Sequence, residues 1–224
     1  MSRPSSSRIG KRRAAALSGN GAEYAAKRAE LVQAAAEVFR EKGLAAATLN
    51  DIAAKLGMDR ATLYYYVGSK DELFQECVTE TVVLNLARAK AIVSEDISPR
   101  EKLQRLIAML INSQVEHYPY MSVYMQEDMH KASAQDTKWA QQMVENTHRL
   151  ERYFIDTIAD GMEAGIFRSD LSKTLIANGL FGMTQWTHRW WVPVGGQSRY
   201  SADDLIHVFT SVLLDGIEVD DDKR

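Results

Sequence analysis

The chain is poor in features that mark disulfide-stapled, secreted or membrane-spanning proteins. It has one cysteine and four prolines among 224 residues. A single cysteine cannot form an intrachain disulfide, so Cys77 fits a reducing, cytoplasmic setting. We interpret it as a small buried hydrophobe, with a redox sensor as the alternative. No apolar run reaches the roughly 18 residues of a membrane-spanning helix, and no apolar segment follows the basic N-terminal residues as in a secretory signal.

Motifs for catalysis, metal binding or phosphate binding are also missing from the sequence. It contains no His-x-x-Glu-His pattern, no close Cys/His spacing, no glycine-rich phosphate loop and no nucleophile elbow. His117 and His130, with Glu127 and Asp128, come nearest to a metal site, and we favour ordinary polar helix faces instead. We therefore predict no catalytic residue, no metal, no cofactor and no enzymatic activity.

Apolar residues recur at helical spacing along the whole chain, and no comparable alternation typical of strands is found. The clearest sets are Leu31, Ala34, Ala35, Val38 and Phe39; Leu103, Leu106, Ile107, Leu110 and Ile111; and Leu205, Val208, Phe209, Val212 and Leu213. The pattern predicts an all-α protein with helices at about 22–42, 48–56, 59–66, 69–94, 99–117, 120–131, 134–164, 171–191 and 202–215.

The segment from Thr48 to Lys70 predicts two short helices around a tight turn. Thr48 is a good N-cap residue, and Asp51 follows it at the position of a capping box. Gly57 suits the left-handed conformation that ends a helix, and Asp59 caps the next helix. This is the shape of a helix-turn-helix, whose second helix presents its first residues to the major groove of DNA.

Charge is divided unevenly along the chain. Residues 1–70 carry a net charge of +6 and residues 71–224 a net charge of −9, within a total of −3. A basic N-terminal part suits a polyanion, and counterion release would make its binding fall steeply with salt. Residues 1–21 contain five basic residues and no acid. We expect a disordered arm that either enters a minor groove or adds nonspecific attraction.

These residues resemble the DNA-binding domain of the TetR family of bacterial regulators. The resemblance is carried by Lys55-Leu-Gly57, Thr62-Leu-Tyr-Tyr65 and Ser69-Lys70, whereas Tyr66-Val67 replaces the family's usual His-Phe. It implies that four residues hold DNA phosphates and three read or touch bases: Thr48, Thr62, Tyr64 and Lys70 for phosphates, and Arg60, Ala61 and Tyr65 for bases. Arg60 has the fork that pairs with guanine, and Ala61 could pack on a thymine methyl. Loss of the Lys70 ammonium should flatten the salt dependence of binding by about one unit.

The family resemblance also implies a homodimer formed by the last two helices, and two readers related by a two-fold axis imply a palindromic operator. Small and apolar residues there suit close packing between helices. The predicted interface residues are Leu171, Leu175, Gly179, Leu205, Val208, Phe209 and Val212, with Leu180 and Gly182 on the same face. Packing within one subunit is the alternative use of these residues.

The middle and late parts of the chain are rich in methionine and aromatic residues, which suit a ligand cavity between helices as well as plain core. The predicted ligand-binding residues are Tyr124, Met125, Met129, Met143, Phe154, Met183, Trp186, Arg189 and Trp190. In the predicted helix 171–191, Trp186 and Trp190 would share one face beside Arg189. The tryptophans could instead be dimer contacts, and Arg189 could form a surface ion pair.

The same region resembles the acyl-coenzyme A-responsive branch of the family, which includes cholesterol-catabolism repressors of actinobacteria. The matching pieces are Val123-Tyr-Met-Gln-Glu-Asp128 and Trp186-Thr-His-Arg-Trp-Trp-Val-Pro193, followed by Gly195-Gly196. The resemblance implies a bulky, partly anionic effector such as an acyl thioester. Cations available for its phosphates are Arg105, Arg149, Arg152, Lys173 and Arg199.

The sequence thus predicts an N-terminal three-helix helix-turn-helix DNA-binding domain and a C-terminal helical ligand-binding and dimerisation domain. The expected divisions are a basic arm at 1–21, the DNA-binding domain at 22–68, the second domain at 69–219 and a charged tail at 220–224. The predicted function is a cytoplasmic, nucleoid-associated repressor that binds an operator as a homodimer, without a membrane partner, and is released by a hydrophobic effector. The alternatives are a regulator controlled by a partner protein and an all-helical acyl-thioester enzyme or carrier.

Overall fold

The computed structural model describes residues 21–118, 121, 124–125, 138–193 and 198–219. Within them the chain is helical, and the all-α prediction is confirmed; an isolated bridge joins Phe167 and Glu218. Most of the basic arm, the tail at 220–224 and most of the predicted helix 120–131 lie outside the described residues. No helix in the described part of the chain is long and apolar enough to cross a membrane.

Eight α-helices and one 3₁₀ turn make up these residues. They are α1 (Gly21–Ala46), α2 (Leu49–Lys55), α3 (Arg60–Tyr66), α4 (Lys70–Val93), α5 (Pro99–Glu116), α6 (Lys138–Glu163), α7 (Lys173–Trp186), the 3₁₀ turn Thr187–Arg189, and α8 (Ala202–Ile217).

The N-terminal unit, Met1–Thr79, has a small core of its own. The predicted apolar stripe of α1 is buried. Leu63 of α3 is fully buried as well. Residues from the first turns of α4 belong to the same core, where the rings of Phe39 and Phe74 meet edge to face with centroids 6.0 Å apart. The unit therefore extends into α4, beyond the division expected at residue 68.

The second unit, Glu80–Arg224, is a bundle in which α5 packs against α6 and α8, and α7 packs against α6 and α8. Its core is apolar and drawn from every one of these helices: Ala89, Leu103, Leu106, Ile107, Met109, Ile111, Phe154, Ile158, Phe167, Ala177, Leu180, Trp191, Leu205, Leu214 and Ile217.

Helix ends follow the local sequence signals with one exception. Thr48 and Asp59 cap helices with their side chains, as predicted, and Ser98, Ser172 and Ser201 cap α5, α7 and α8. The predicted helix 171–191 is wrong at its end, because the α-helix stops at Trp186 and continues as a 3₁₀ turn.

Two main-chain hydrogen bonds near the C-terminus join the segment after α6 to the end of α8. The amide of Arg168 donates to the carbonyl of Ile217 at 2.7 Å, and the amide of Val219 donates to the carbonyl of Ile166 at 3.0 Å. These bonds hold Phe167 in the core, where its ring lies against Gly161 of α6 so closely that a Cβ at position 161 would lie 2.1 Å from it. The ring can occupy this place because residue 161 lacks a side chain.

Gly161→Ala should therefore destabilise the protein by about 1–3 kcal/mol, the usual cost of overpacking a core. Gly216→Ala is the matched control, because a Cβ there has nothing within 4 Å. Urea unfolding of both variants measures the difference. A Gly161→Ala protein as stable as the control would show that Phe167 moves aside at no cost.

Candidate nucleic-acid interface and effector cavity

The turn between α2 and α3 has the geometry of a helix-turn-helix. Gly57 has a φ of 62°, which a residue with a side chain adopts only with strain. The amide of Met58 donates to Ala53 at 2.9 Å and that of Gly57 donates to Ala54 at 3.1 Å, the bonding of a Schellman motif. The chain thus ends α2 and begins α3 at Arg60 within a few residues.

Both caps of the helix-turn-helix use a threonine that the sequence predicts to hold phosphate. The Thr48 hydroxyl donates to Asp51 at 2.7 Å, and the Thr62 hydroxyl donates to Asp59 at 2.6 Å. Because a hydroxyl has one proton to donate, neither threonine offers it to a phosphate in this conformation. The predicted capping role of Thr48 is confirmed, and Thr62 takes part in the second cap, which its phosphate prediction did not include.

The capping carboxylates are held in their charged form. Hydrogen bonds from Lys42 and then from Thr48 lower the pKa of Asp51 to about 2. Hydrogen bonds from Thr62 lower the pKa of Asp59. The carboxylates of Asp51 and Asp59 are therefore both ionised at neutral pH. Each negative charge lies at the N-terminus of a helix, where it is favourable.

The exposed start of α3 carries the residues predicted to read bases. Arg60 and Ala61 are exposed. The Arg60 guanidinium lies over the Tyr64 ring, 5.3 Å from its centroid, and donates to the Tyr64 hydroxyl at 3.1 Å. This pairing of residues one turn apart orders the long arginine side chain while leaving other guanidinium protons for base edges.

Tyr65, also predicted to touch bases, is half-buried in a group of aromatic rings. Its ring lies edge to face with Tyr66, with centroids 5.1 Å apart, and with Tyr24 of α1, with centroids 6.2 Å apart. Such contacts fix the ring orientation. Tyr65 thus packs α3 against α1, in addition to any contact it makes with DNA.

Lys70 binds main-chain oxygens. Its Nζ lies 2.7 Å from the Leu44 carbonyl and 3.2 Å from those of Ala45 and Ala47. An ammonium has three protons, so the three carbonyls use all of them. In this structure Lys70 closes the carboxyl end of α1 and positions the segment that leads into α2, and its phosphate role stays a prediction.

Arg28 of α1, which the sequence analysis did not single out, makes the equivalent contact at the end of α3. Its guanidinium donates to the Tyr66 carbonyl and pairs with Glu72 at 2.7 Å and Glu76 at 2.9 Å. Burial alone would lower the pKa of Arg28, but hydrogen bonds and charges from Glu76 and Glu72 outweigh it and raise the pKa. The only sign of this role in the sequence is the position of Arg28, close to the apolar stripe of α1.

A cavity of about 140 Å³ lies within the second unit. Its wall combines apolar and polar side chains from α4, α5, α6 and α7 with residues near 121–125: Val82, Asn85, Leu110, Ser113, Gln114, Met121, Tyr124, Met125, Thr147, Leu150, Glu151, Phe181, Thr184 and Gln185. A ligand site with this lining is expected to take an apolar body that a few polar groups orient.

The predicted ligand residues divide into three groups. Tyr124 and Met125 line the cavity. Met143 and Phe154 are buried in helix packing and are not part of its wall, and Met183 is half-buried on α7. Met129 lies outside the described residues.

The tryptophan and arginine group lies at the surface, away from the cavity wall. Trp186 is 57% exposed and Trp190 is 48% exposed. They do not share a helix face, because α7 ends between them. The Arg189 guanidinium lies 4.6 Å from the centroid of the Trp186 ring, a cation–π contact of the exposed kind. The ligand role predicted for these three residues has no support from the cavity, and the alternative of dimer contacts fits their exposure.

The predicted dimer residues also divide. Leu175 is 70% exposed, Val212 59% and Val208 50%, and Gly179 is exposed on α7. Leu205 is buried in the core of its own subunit, as is Leu180, while Leu171 and Phe209 pack against that core. The interface prediction is corrected for Leu205 and Leu180, whose helix faces turn inward.

The cavity residues that sequence reasoning missed are mostly polar ones at core-facing helix positions. Asn85 on α4 donates to Ser113 on α5 at 2.8 Å. Gln114 donates to the Thr184 carbonyl at 2.9 Å and accepts from Thr187 at 2.6 Å. Polar residues inside a predicted apolar stripe were the available signal. In the described residues no group of three His, Cys, Asp or Glu side chains could hold a metal ion.

A helix-turn-helix followed by a separate C-terminal helical bundle is the architecture of a transcription regulator. Comparison with known proteins specifies the family. Residues 31–77 match the bacterial regulatory proteins of the tetR family, and residues 96–217 match tetracyclin repressor-like C-terminal domains. The chain belongs to the TetR family and is a helix-turn-helix transcriptional repressor.

Individual relatives agree with the family assignment. The repressor KstR2 of Mycobacterium tuberculosis is 29% identical over 192 residues, covering 85% of this chain and 92% of that protein. The structure of this ketosteroid regulator matches with a TM-score of 0.72 and 27% identity, covering 87% of this chain and 96% of that one. FadR from Bacillus subtilis, in complex with stearoyl-CoA, shares the fold with a TM-score of 0.65 at 20% identity, covering 84% and 98%.

Because its protons are all bonded within the protein, Lys70→Met should weaken binding to every DNA sequence alike and leave the slope of log affinity against log salt unchanged. A phosphate-binding lysine would change that slope by about 0.9. The unfolding free energy should fall in the same variant. Arg60→Ala is the comparison: it should keep the stability of the protein and cost about 1–3 kcal/mol of base discrimination. A flatter slope in Lys70→Met would support the phosphate role.

Proposed function

We propose that this repressor binds a palindromic operator as a homodimer and is released when the acyl part of an acyl thioester fills the cavity of the second unit. The observation that carries the proposal is the partly polar cavity in a chain whose N-terminal unit contains a helix-turn-helix. Since its operator is chromosomal DNA, we propose that it acts in the cytoplasm, at the nucleoid.

In this proposal the exposed first residues of α3 contact the bases of the operator. Arg60 is ordered by Tyr64 and lies at the position from which a recognition helix reaches base edges. The N-terminal part of the chain is basic, with +6 over residues 1–70, which supports attraction to the phosphate backbone. These features support sequence-specific DNA binding by α3, with the charge adding the salt-dependent part.

The dimer proposal rests on an apolar face that a single chain leaves exposed. On α7, Leu175 and Trp186 lie on one side of the helix together with Gly179, where a Cβ would meet nothing within 4 Å. On α8, Val208 and Val212 are at least half exposed. Large exposed apolar side chains grouped on two helices are typical of an interface, and a two-fold interface would pair two recognition helices for a palindrome.

The effector class is supported by the cavity and by the relatives together. A TetR-fold protein with a similar chain has been seen with stearoyl-CoA, and the KstR2 regulators belong to ketosteroid control. A cavity of about 140 Å³ is close to the roughly 150 Å³ that holds benzene in an engineered protein. It therefore suits a compact acyl group, with the coenzyme A phosphates outside, where Arg149 and Arg152 are exposed on α6.

Release would follow from a shift in conformational populations. α4 begins at Lys70, which holds the segment leading into α2, and the same helix contributes Val82 and Asn85 to the cavity wall. A ligand that binds better when α4 is displaced would favour the displaced state by its differential affinity. Displacement of α4 would disturb the lysine contacts that position the helix-turn-helix.

Fluorescence-polarisation binding to the protein's own upstream intergenic DNA tests the proposal. Free fatty acids, fatty acyl-CoAs and steroid-derived acyl-CoAs are added in turn. One acyl-CoA class should weaken DNA binding by about 5–150-fold, the usual range of allosteric coupling, while its free acid does less. Tight binding that no ligand changes would refute release by a small molecule and favour control by a partner protein.

Val212→Asp should convert the dimer to a monomer, because a carboxylate cannot be buried in an apolar interface without a partner. Light scattering measures the mass, and binding to a full palindrome should drop to that of a half-site. Val83→Asp is the matched control, since Val83 on α4 is 51% exposed and lies outside the proposed interface. A Val212→Asp protein that stays dimeric would place the interface elsewhere.

A further inference from the structure

The cavity wall is electrically unsuited to an anion. Among the side chains that line it in the described part of the chain there is no lysine, arginine or histidine, and Glu151 supplies a carboxylate. A phosphate or carboxylate placed there would lose its hydration without gaining a counter-charge, which costs several kcal/mol. The described side chains of the wall therefore favour an uncharged group.

Two buried polar atoms in this wall lack a hydrogen-bond partner. The Asn85 side chain, in a residue only 7% exposed, donates from Nδ2 to Ser113 at 2.8 Å, and its Oδ1 has no partner. The hydroxyl of Tyr124 has none either. Buried polar atoms in native proteins are nearly always paired, so orphaned ones ask for a ligand or a water.

Two other polar side chains of the wall, Gln114 and Thr147, are already bonded within the protein. Gln114 is bonded at both ends of its amide, to Thr184 and Thr187. Thr147 donates its hydroxyl to the Met143 carbonyl at 2.9 Å. Burial raises the pKa of the Tyr124 phenol, which keeps its proton available for donation. Among the described lining residues, the buried polar atoms left without a partner are thus Asn85 Oδ1 and the Tyr124 hydroxyl.

We propose that the cavity selects a compact, uncharged group bearing a hydroxyl, which donates to Asn85 Oδ1 and accepts from Tyr124. This rests on the proposed function only in taking the cavity as the effector site. A carbonyl ranks second because it can accept from Tyr124 but cannot donate to Asn85. A plain hydrocarbon ranks third, since it leaves both polar atoms buried and unpaired. For an acyl thioester, a short hydroxylated acyl group is preferred over a saturated one.

The test uses four six-membered rings of nearly equal size: cyclohexanol, cyclohexanone, cyclohexane and cyclohexanecarboxylate. Binding to the full chain without DNA is followed by the methyl NMR signals of ¹³C-labelled methionines, because Met121 and Met125 line the cavity. Cyclohexanol should bind about 10–100-fold tighter than cyclohexane, because it makes two hydrogen bonds in the cavity that cyclohexane cannot make. Cyclohexanone should fall between them, and the carboxylate should leave both methyl signals unchanged.

Variants assign the preference to the two orphaned groups. Asn85→Leu and Tyr124→Phe should each reduce the preference for cyclohexanol over cyclohexane, and the double variant should abolish it. Thr147→Val is the matched control: it removes a cavity hydroxyl that is bonded to a main-chain carbonyl, so the preference should persist.

Three results would overturn the inference. They are equal affinity for cyclohexane and cyclohexanol, tightest binding of the carboxylate, and no methyl shift with any ring. If Asn85 serves only to bind Ser113, Asn85→Leu lowers the unfolding temperature and leaves the cyclohexanol preference intact, which also refutes it. The binding assay contains no DNA, so a ring preference without operator release by acyl-CoAs would refute the proposed function and leave the cavity chemistry standing.

Discussion

The recognition helix depends on a cation that binds its last carbonyl. α3 has seven residues, which is too short to be a stable helix alone. Arg28 holds its end by donating to Tyr66, and Glu72 and Glu76 hold the guanidinium. Lys70 does the same at the end of α1. Unless these main-chain oxygens are bonded, the short helix and the turn before it have no fixed place, and the exposed start of α3 cannot present side chains to DNA.

The groups that hold the helix-turn-helix together overlap with those expected to bind phosphates. The hydroxyls of Thr48 and Thr62 and the ammonium of Lys70 are all bonded within the protein. Their use inside the fold gives a rigid surface before DNA arrives, so less ordering entropy is lost on binding. It also leaves Arg60, whose side chain lies over the Tyr64 ring, as the residue that we propose to read bases.

The second unit combines an apolar core with a cavity wall in which some buried polar atoms lack hydrogen-bond partners. Its large aromatic residues lie in different environments. Phe154 is fully buried among apolar helices, while Trp186 is largely exposed on α7. Between these extremes, Asn85 and Tyr124 each keep a buried polar atom without a partner. Such atoms lower the stability of the empty protein. Their place in a cavity wall is what a binding site requires, where specificity comes from groups that only the right ligand satisfies.

Sequence alone determined the helical class, most helix bounds, the caps at Thr48 and Asp59 and the turn at Gly57, because these depend on residues within about four positions of each other. It did not determine which residues line the cavity, the end of α7 at Trp186, or the tasks of Arg28 and Lys70. Those depend on partners such as Tyr66, Leu44 and Ser113, which lie more than twenty positions away along the chain. Only the packing of helices brings such partners together, and the same packing decides whether a methionine or tryptophan faces core, cavity or solvent.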